Sequence, residues 1–102
     1  MVTFREDDRK AALKLGESFE ISLAENPTTG FRWQVLAEGE PVCQMVADDF
    51  RGGSAPGEPG IHRWQFQTVQ AGAAEIRMDL QRPWARAKKP VKSFSLHVQV
   101  QR

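Results

Sequence analysis

An all-β antiparallel sandwich is predicted on three observations. Apolar and polar residues alternate in run after run. The runs recur about every ten positions between turn residues, and only one short stretch carries a helical period. Short strands so spaced are the signature of an immunoglobulin-like sandwich.

Taking the chain in order, Asp8 to Leu15 admits two readings. Asp8 as a cap, Ala11, Ala12 and Leu15 on one face and Gly16 as a stop describe a helix of a turn or two, whereas Leu13 and Leu15 by themselves describe a short strand. From Ser18 to Ala24, Phe19, Ile21 and Leu23 alternate with Ser18, Glu20 and Ser22, so one face of a strand meets a core. The same period returns in Phe31, Trp33 and Val35, and in Trp64 and Phe66 with Arg63, Gln65 and Gln67 outward. It returns again in Ala74, Ile76, Met78 and Leu80, and in Phe94, Leu96, Val98 and Val100. Pro41 to Ala47 is a weaker strand. No repeat or linker interrupts this order.

The chain has 102 residues, the size of one domain, so residues 1–102 are expected to share one core. A chain of this mass should leave about 5,800 Å² accessible, hiding about 65% of its unfolded surface. Fourteen Lys and Arg against thirteen Asp and Glu give a net charge of +1, too balanced for nucleic acid or an anionic membrane to be the main partner. The single cysteine, Cys43, permits no internal disulfide. The first residues turn acidic at once (Glu6, Asp7, Asp8) and carry no apolar leader, so a cytoplasmic location is expected, or a periplasmic or secreted one if a leader has been removed.

Motifs of catalysis are missing: there is no Gly-rich phosphate loop, no Cys-x-x-Cys, no His-Glu-x-x-His and no Gly-x-Ser-x-Gly. Cys43, His62 and His97 lack metal-ligand spacing, and the thiol is read as buried and the imidazoles as partly exposed on strands. Asp7–Asp8 and Asp48–Asp49 are neighbours on extended chain, so their carboxylates point apart and read as solvated charge. Arg82, Arg86, Lys88 and Lys89 read as a solvated loop. Neither an enzyme nor a cofactor is expected.

Three connections are unusual in composition: Glu25 to Gly30, the Gly- and Pro-rich Arg51 to Gly60, and Gln81 to Pro90. In an up-and-down antiparallel path alternate connections lie at the same end, which places all three side by side. In the first, Pro27 fixes a φ, Gly30 supplies a conformation other residues avoid, and Asn26 bonds nearby backbone, as in an ordinary turn. In the third, Trp84 follows Pro83 outside any alternating run, a large aromatic near solvent that calls for a partner.

Taken together, Asn26-Pro27-Thr28-Thr29-Gly30-Phe31-Arg32-Trp33, then Gly57-Glu58-Pro59-Gly60, Ala71-Gly72 and Arg82-Pro83-Trp84 resemble, in order and spacing, the chagasin family of cysteine-peptidase inhibitors. The resemblance spans Ser18 to Val100. It implies a monomeric, reversible, tight-binding inhibitor whose three loops form a wedge in the active-site cleft of a papain-like cysteine peptidase. Thr28 would lie close to the catalytic cysteine and histidine, with Thr29 and backbone groups beside it. Arg82 and Trp84 would pack on one side of the cleft and Gly57 to Gly60 on the other. The sequence departs from the family where Pro59 replaces a glycine of Gly-x-Gly-Gly, removing a backbone N–H there. The alternative is a non-inhibitory interaction module presenting the same loops to another protein.

Overall fold

The alternating runs form eight strands: β1 (Val2–Phe4), β2 (Lys10–Lys14), β3 (Ser18–Glu25), β4 (Arg32–Glu38), β5 (Cys43–Arg51), β6 (Gly60–Thr68), β7 (Gly72–Gln81) and β8 (Lys92–Gln101). They are seen in a computed structural model that describes residues 1–53, 55, 57–82 and 90–102. One sheet has the order β1-β3-β6-β5 and the other β2-β8-β7-β4. Their inner faces meet in one apolar layer. Phe19, Ile21, Trp64 and Phe66 come from the first sheet and Ile76, Met78, Leu96 and Val98 from the second, all 1% exposed or less. Each such side chain contributes about 1.5–3 kcal/mol through burial. Phe19 and Phe66, directly paired across β3 and β6, stack with ring centres 5.2 Å apart.

The all-β sandwich is as the sequence predicts, with three differences. Asp8 to Leu15 holds no helix: Lys10–Lys14 is a strand whose buried residues are Ala11 and Leu13, while Leu15 lies beyond its end and is exposed. The alternation of Ala11 and Leu13 meets the core along β8, and this tertiary contact decides between the two local readings. Second, Val2–Phe4 forms an additional strand on the edge of the first sheet. Third, the pairing is not wholly antiparallel, because β1 runs parallel to β3 and β2 parallel to β8.

The path therefore crosses between sheets at every connection except the hairpins β5–β6 and β7–β8, yet each connection still reverses direction. Both parallel pairs follow from this alternation, since β1 and β3 both run toward one end and β2 and β8 both run away from it. The accessible area is 6459 Å², above the value of about 5,800 Å² expected from mass. A slab of 44 × 32 × 21 Å explains the excess.

Register shifts between Val35 and Ala37 in β4 and between Met45 and Ala47 in β5 turn Leu36 and Val46 outward. Both bulges lie on sheet edges, where they and the charges of Asp48, Asp49 and Arg51 discourage strand addition. At the end of β6, Thr68 ties the chain together: its hydroxyl donates to Lys14 O at 2.7 Å and accepts from Glu17 N–H at 3.0 Å. Cys43, paired with Thr68, is buried at this end, and burial pushes its thiol up to about 11.

Candidate functional site

The three connections of unusual composition leave the sandwich at the end opposite Thr68. Glu25 pairs with Gly60 and Arg51 with Ile61, which puts the β3–β4 and β5–β6 connections together. Arg32 pairs with Gln81 and Leu80 with Lys92, so the β7–β8 connection springs from the same level of the other sheet. The predicted clustering at one end is borne out. The β1–β2 connection reaches that end as well: Ala24 N–H donates to Glu6 Oε1 at 3.4 Å.

The central loop is braced internally. Pro27–Thr29 make a single 3-10 turn, closed by Thr29 N–H donating to Asn26 O at 3.2 Å. The Asn26 side chain performs the turn role expected of it: Oδ1 accepts the Thr28 N–H at 3.1 Å and the Thr28 hydroxyl at 2.7 Å. The Thr29 hydroxyl donates to Asn26 O at 2.7 Å and accepts the Phe31 N–H at 3.3 Å. Gly30 has φ 82°, a left-handed conformation that a side chain would disfavour, and it returns the chain toward β4. Thr28 and Thr29 remain exposed at the end of this frame.

Neighbouring loops hold the central one from both sides. Asn26 Nδ2 donates to Gly57 O at 3.3 Å. The Arg82 guanidinium sits 4.6 Å from the centre of the Phe31 ring, a cation–π contact worth about 0.5–1 kcal/mol at an exposed site. In the second loop, Glu58 N–H donates to Ala55 O at 3.1 Å, and Gly57, Glu58 and Pro59 are exposed while Gly60 is buried. In the third, Val91 N–H donates to Leu80 O at 2.9 Å at the base. Pro83 and Trp84 lie outside the described residues. Of the sequence-derived site, then, Asn26, Thr28, Thr29, Gly30, Phe31, Gly57 and Arg82 form one connected patch, with Glu58 to Gly60 beside it.

Beneath this patch lies a polar group absent from the sequence-derived site. Glu25 closes β3 in the same inward phase as Phe19, Ile21 and Leu23, and its side chain is 1% exposed. Its Oε1 accepts the Trp33 N–H at 2.8 Å, and both carboxylate oxygens lie 3.3 Å from His62 Nδ1. The other ring nitrogen of His62 is bonded to Asp48 Oδ1, and the imidazole stacks on Trp64 with centres 3.9 Å apart. Asp48 is thus half-exposed, as expected, but paired instead of merely solvated. The phase of Glu25 within the β3 alternation is the sequence signal that marks it as buried.

At one end of the sandwich the central loop is thus joined to Gly57 and to Arg82, and the family comparison gives the class of the protein. The model of the chagasin family peptidase inhibitor I42 matches residues 12–98. The chain belongs to this family of cysteine-peptidase inhibitors, which are not enzymes.

Among its relatives, Amoebiasin-1 of Entamoeba histolytica is 33% identical over 98% of this chain and 100% of its own. Amoebiasin-2 of the same organism is 24% identical over 96% of this chain and 82% of its own. Among solved structures, the cysteine protease inhibitor EhICP2 from Entamoeba histolytica superposes with TM-score 0.86 at 23% identity, covering 98% of this chain and 95% of its own. PbICP-C, solved in complex with falcipain-2, superposes with TM-score 0.70 at 17% identity over 99% of this chain and 100% of its own. At these identities the two structures speak for the sandwich.

Proposed function

We propose that this chain is a reversible inhibitor of papain-like cysteine peptidases and that it occludes the active-site cleft with its three-loop end. Thr28 leads the central loop into the cleft, flanked on one side by Gly57 to Gly60 and on the other by Arg82, Pro83 and Trp84. The observation that carries this reading is the junction of the loops, in which Asn26 reaches Gly57 O and Arg82 covers the Phe31 ring. A central loop already held in its turn loses little entropy on docking, so its contacts translate into affinity. The falcipain-2 bound to PbICP-C supports a peptidase of this class as the partner.

Occlusion needs no bond in the inhibitor to break. The turn bonds of Asn26 and Thr29 hold the central loop away from the extended pose a peptidase cleaves. Titration of papain on a fluorogenic peptide is expected to give stoichiometric, dilution-reversible inhibition, with an unchanged inhibitor mass after long incubation. Full peptidase activity at saturating protein would instead favour a non-inhibitory interaction module. Cleavage beside Thr28 with recovery of activity would make the loop a substrate.

A further inference from the structure

We infer that Glu25 is the positioning residue of the three-loop end: a buried carboxylate that fixes where the central loop leaves and re-enters the sandwich and ties it to the strand that follows the second loop. The inference rests on the inhibitory reading above for its consequence in affinity, but its geometry stands on the fold.

Glu25 is the last residue of β3, and the loop starts at the next residue. Its carboxylate accepts the N–H of Trp33, the second residue of β4, so one side chain grips both feet of the loop. A second grip is the Trp33 indole, whose Nε1–H donates to Ala24 O at 2.9 Å. From the same carboxylate, His62 Nδ1 at 3.3 Å leads to β6, two residues beyond Gly60. His62 is in turn fixed by Asp48 of β5, by the stacked Trp64 ring and by the edge of Phe50 at 6.0 Å. The chain β4–Glu25–His62–Asp48 thus spans the feet of two loops and both strands of the hairpin that carries the second.

A buried carboxylate is a poor choice for stability alone. An apolar side chain of similar volume is often as good or better, while the ion requires every partner to stay in place. What the carboxylate supplies is direction, since one group accepts the Trp33 N–H on β4 and meets the His62 ring on β6.

Two near-isosteric variants separate positioning from stability. Glu25→Met fills the same space without an acceptor, and Glu25→Gln keeps an acceptor for the Trp33 N–H. In Glu25→Met, the amides of Thr28, Thr29 and Phe31 are expected to exchange with solvent roughly tenfold faster or more, while the Val69 amide at the far end is unchanged. Inhibition of papain per folded molecule should weaken by roughly tenfold or more, the size of effect a buried donor left unpaired produces.

Glu25→Gln should restore both readouts to within roughly threefold of the parent chain. Should Glu25→Met not fold, Glu25→Asp, one methylene too short to span both Trp33 N–H and the His62 ring, carries the same comparison. Loop amides and inhibition unchanged in the folded variant would overturn the inference. A parent chain that fails to inhibit papain would refute the inhibitory reading alone, and the amide exchange would still decide the role of Glu25.

Discussion

Thr28→Arg is expected to abolish useful inhibition while leaving the fold intact. Thr28 is exposed, and within the protein it bonds only to Asn26 Oδ1 through its N–H and hydroxyl in the described contacts. The backbone half of that pair survives substitution, and exposed changes of this kind usually alter stability by less than about 0.5 kcal/mol. In the proposed complex the situation is reversed, because a cleft that closes around a short hydroxyl side chain leaves no volume for a guanidinium. A loss of about 4 kcal/mol, typical of a disrupted hot spot, corresponds to roughly 1,000-fold in the inhibition constant. Thr28→Ser retains the hydroxyl bond to Asn26 and should cost only a few-fold. Equal inhibition by Thr28→Arg and the parent chain would show that the central loop stays outside the cleft.

Gly60→Ala is expected to act through the fold. A Cβ at Gly60 would stand 2.4 Å from Arg51 O and 2.6 Å from Phe50 Cζ. The ring can swing away, whereas the carbonyl belongs to the paired strand β5, so the hairpin itself must open. Overpacking against fixed backbone falls at the upper end of the usual range, about 3 kcal/mol, which lowers Tm by roughly 12–24 °C in a domain of this size. Inhibition should fall with it, because the second loop hangs from this hairpin. Thermal unfolding followed by circular dichroism checks the expectation. A Tm within a few degrees of the parent, about 2 °C or less, would show that β5 and β6 do not approach so closely.

Why some features are legible in the sequence and others are not follows from what fixes each. Phe19, Ile21 and Leu23, or Phe94 to Val100, announce strands because one whole face is buried, and burial writes a period of two into the residues. The central loop announces itself because Pro27 and Gly30 answer local backbone demands. The three residues of β1 are too few to show a period, and only half-bury Thr3 and Phe4. In β2 the helical face of Ala11, Ala12 and Leu15 competes with the alternation of Ala11 and Leu13, and only contact with β8 settles the choice.

The parallel pairings depend on which sheet a crossing chain joins, a matter of tertiary packing that no local pattern encodes. Arg82 reads from the family motif as a cleft contact, but it also covers Phe31, a contact 51 positions away in sequence. Glu25 is hidden by its own chemistry. A glutamate in the inward phase reads as the end of a strand until His62 and Trp33 are seen around it.

The claim at the centre of this account is that one end of the sandwich, and no other surface, meets the peptidase. Amide hydrogen exchange of this chain, free and bound to papain, measures that directly. The account predicts slowed exchange confined to residues 26–31, 57–60 and the connection that begins at Arg82, with the β2, β8 and Thr68 end unchanged. Protection along the edge strand β5 or at the Thr68 end, with the central loop exchanging as in the free chain, would contradict it.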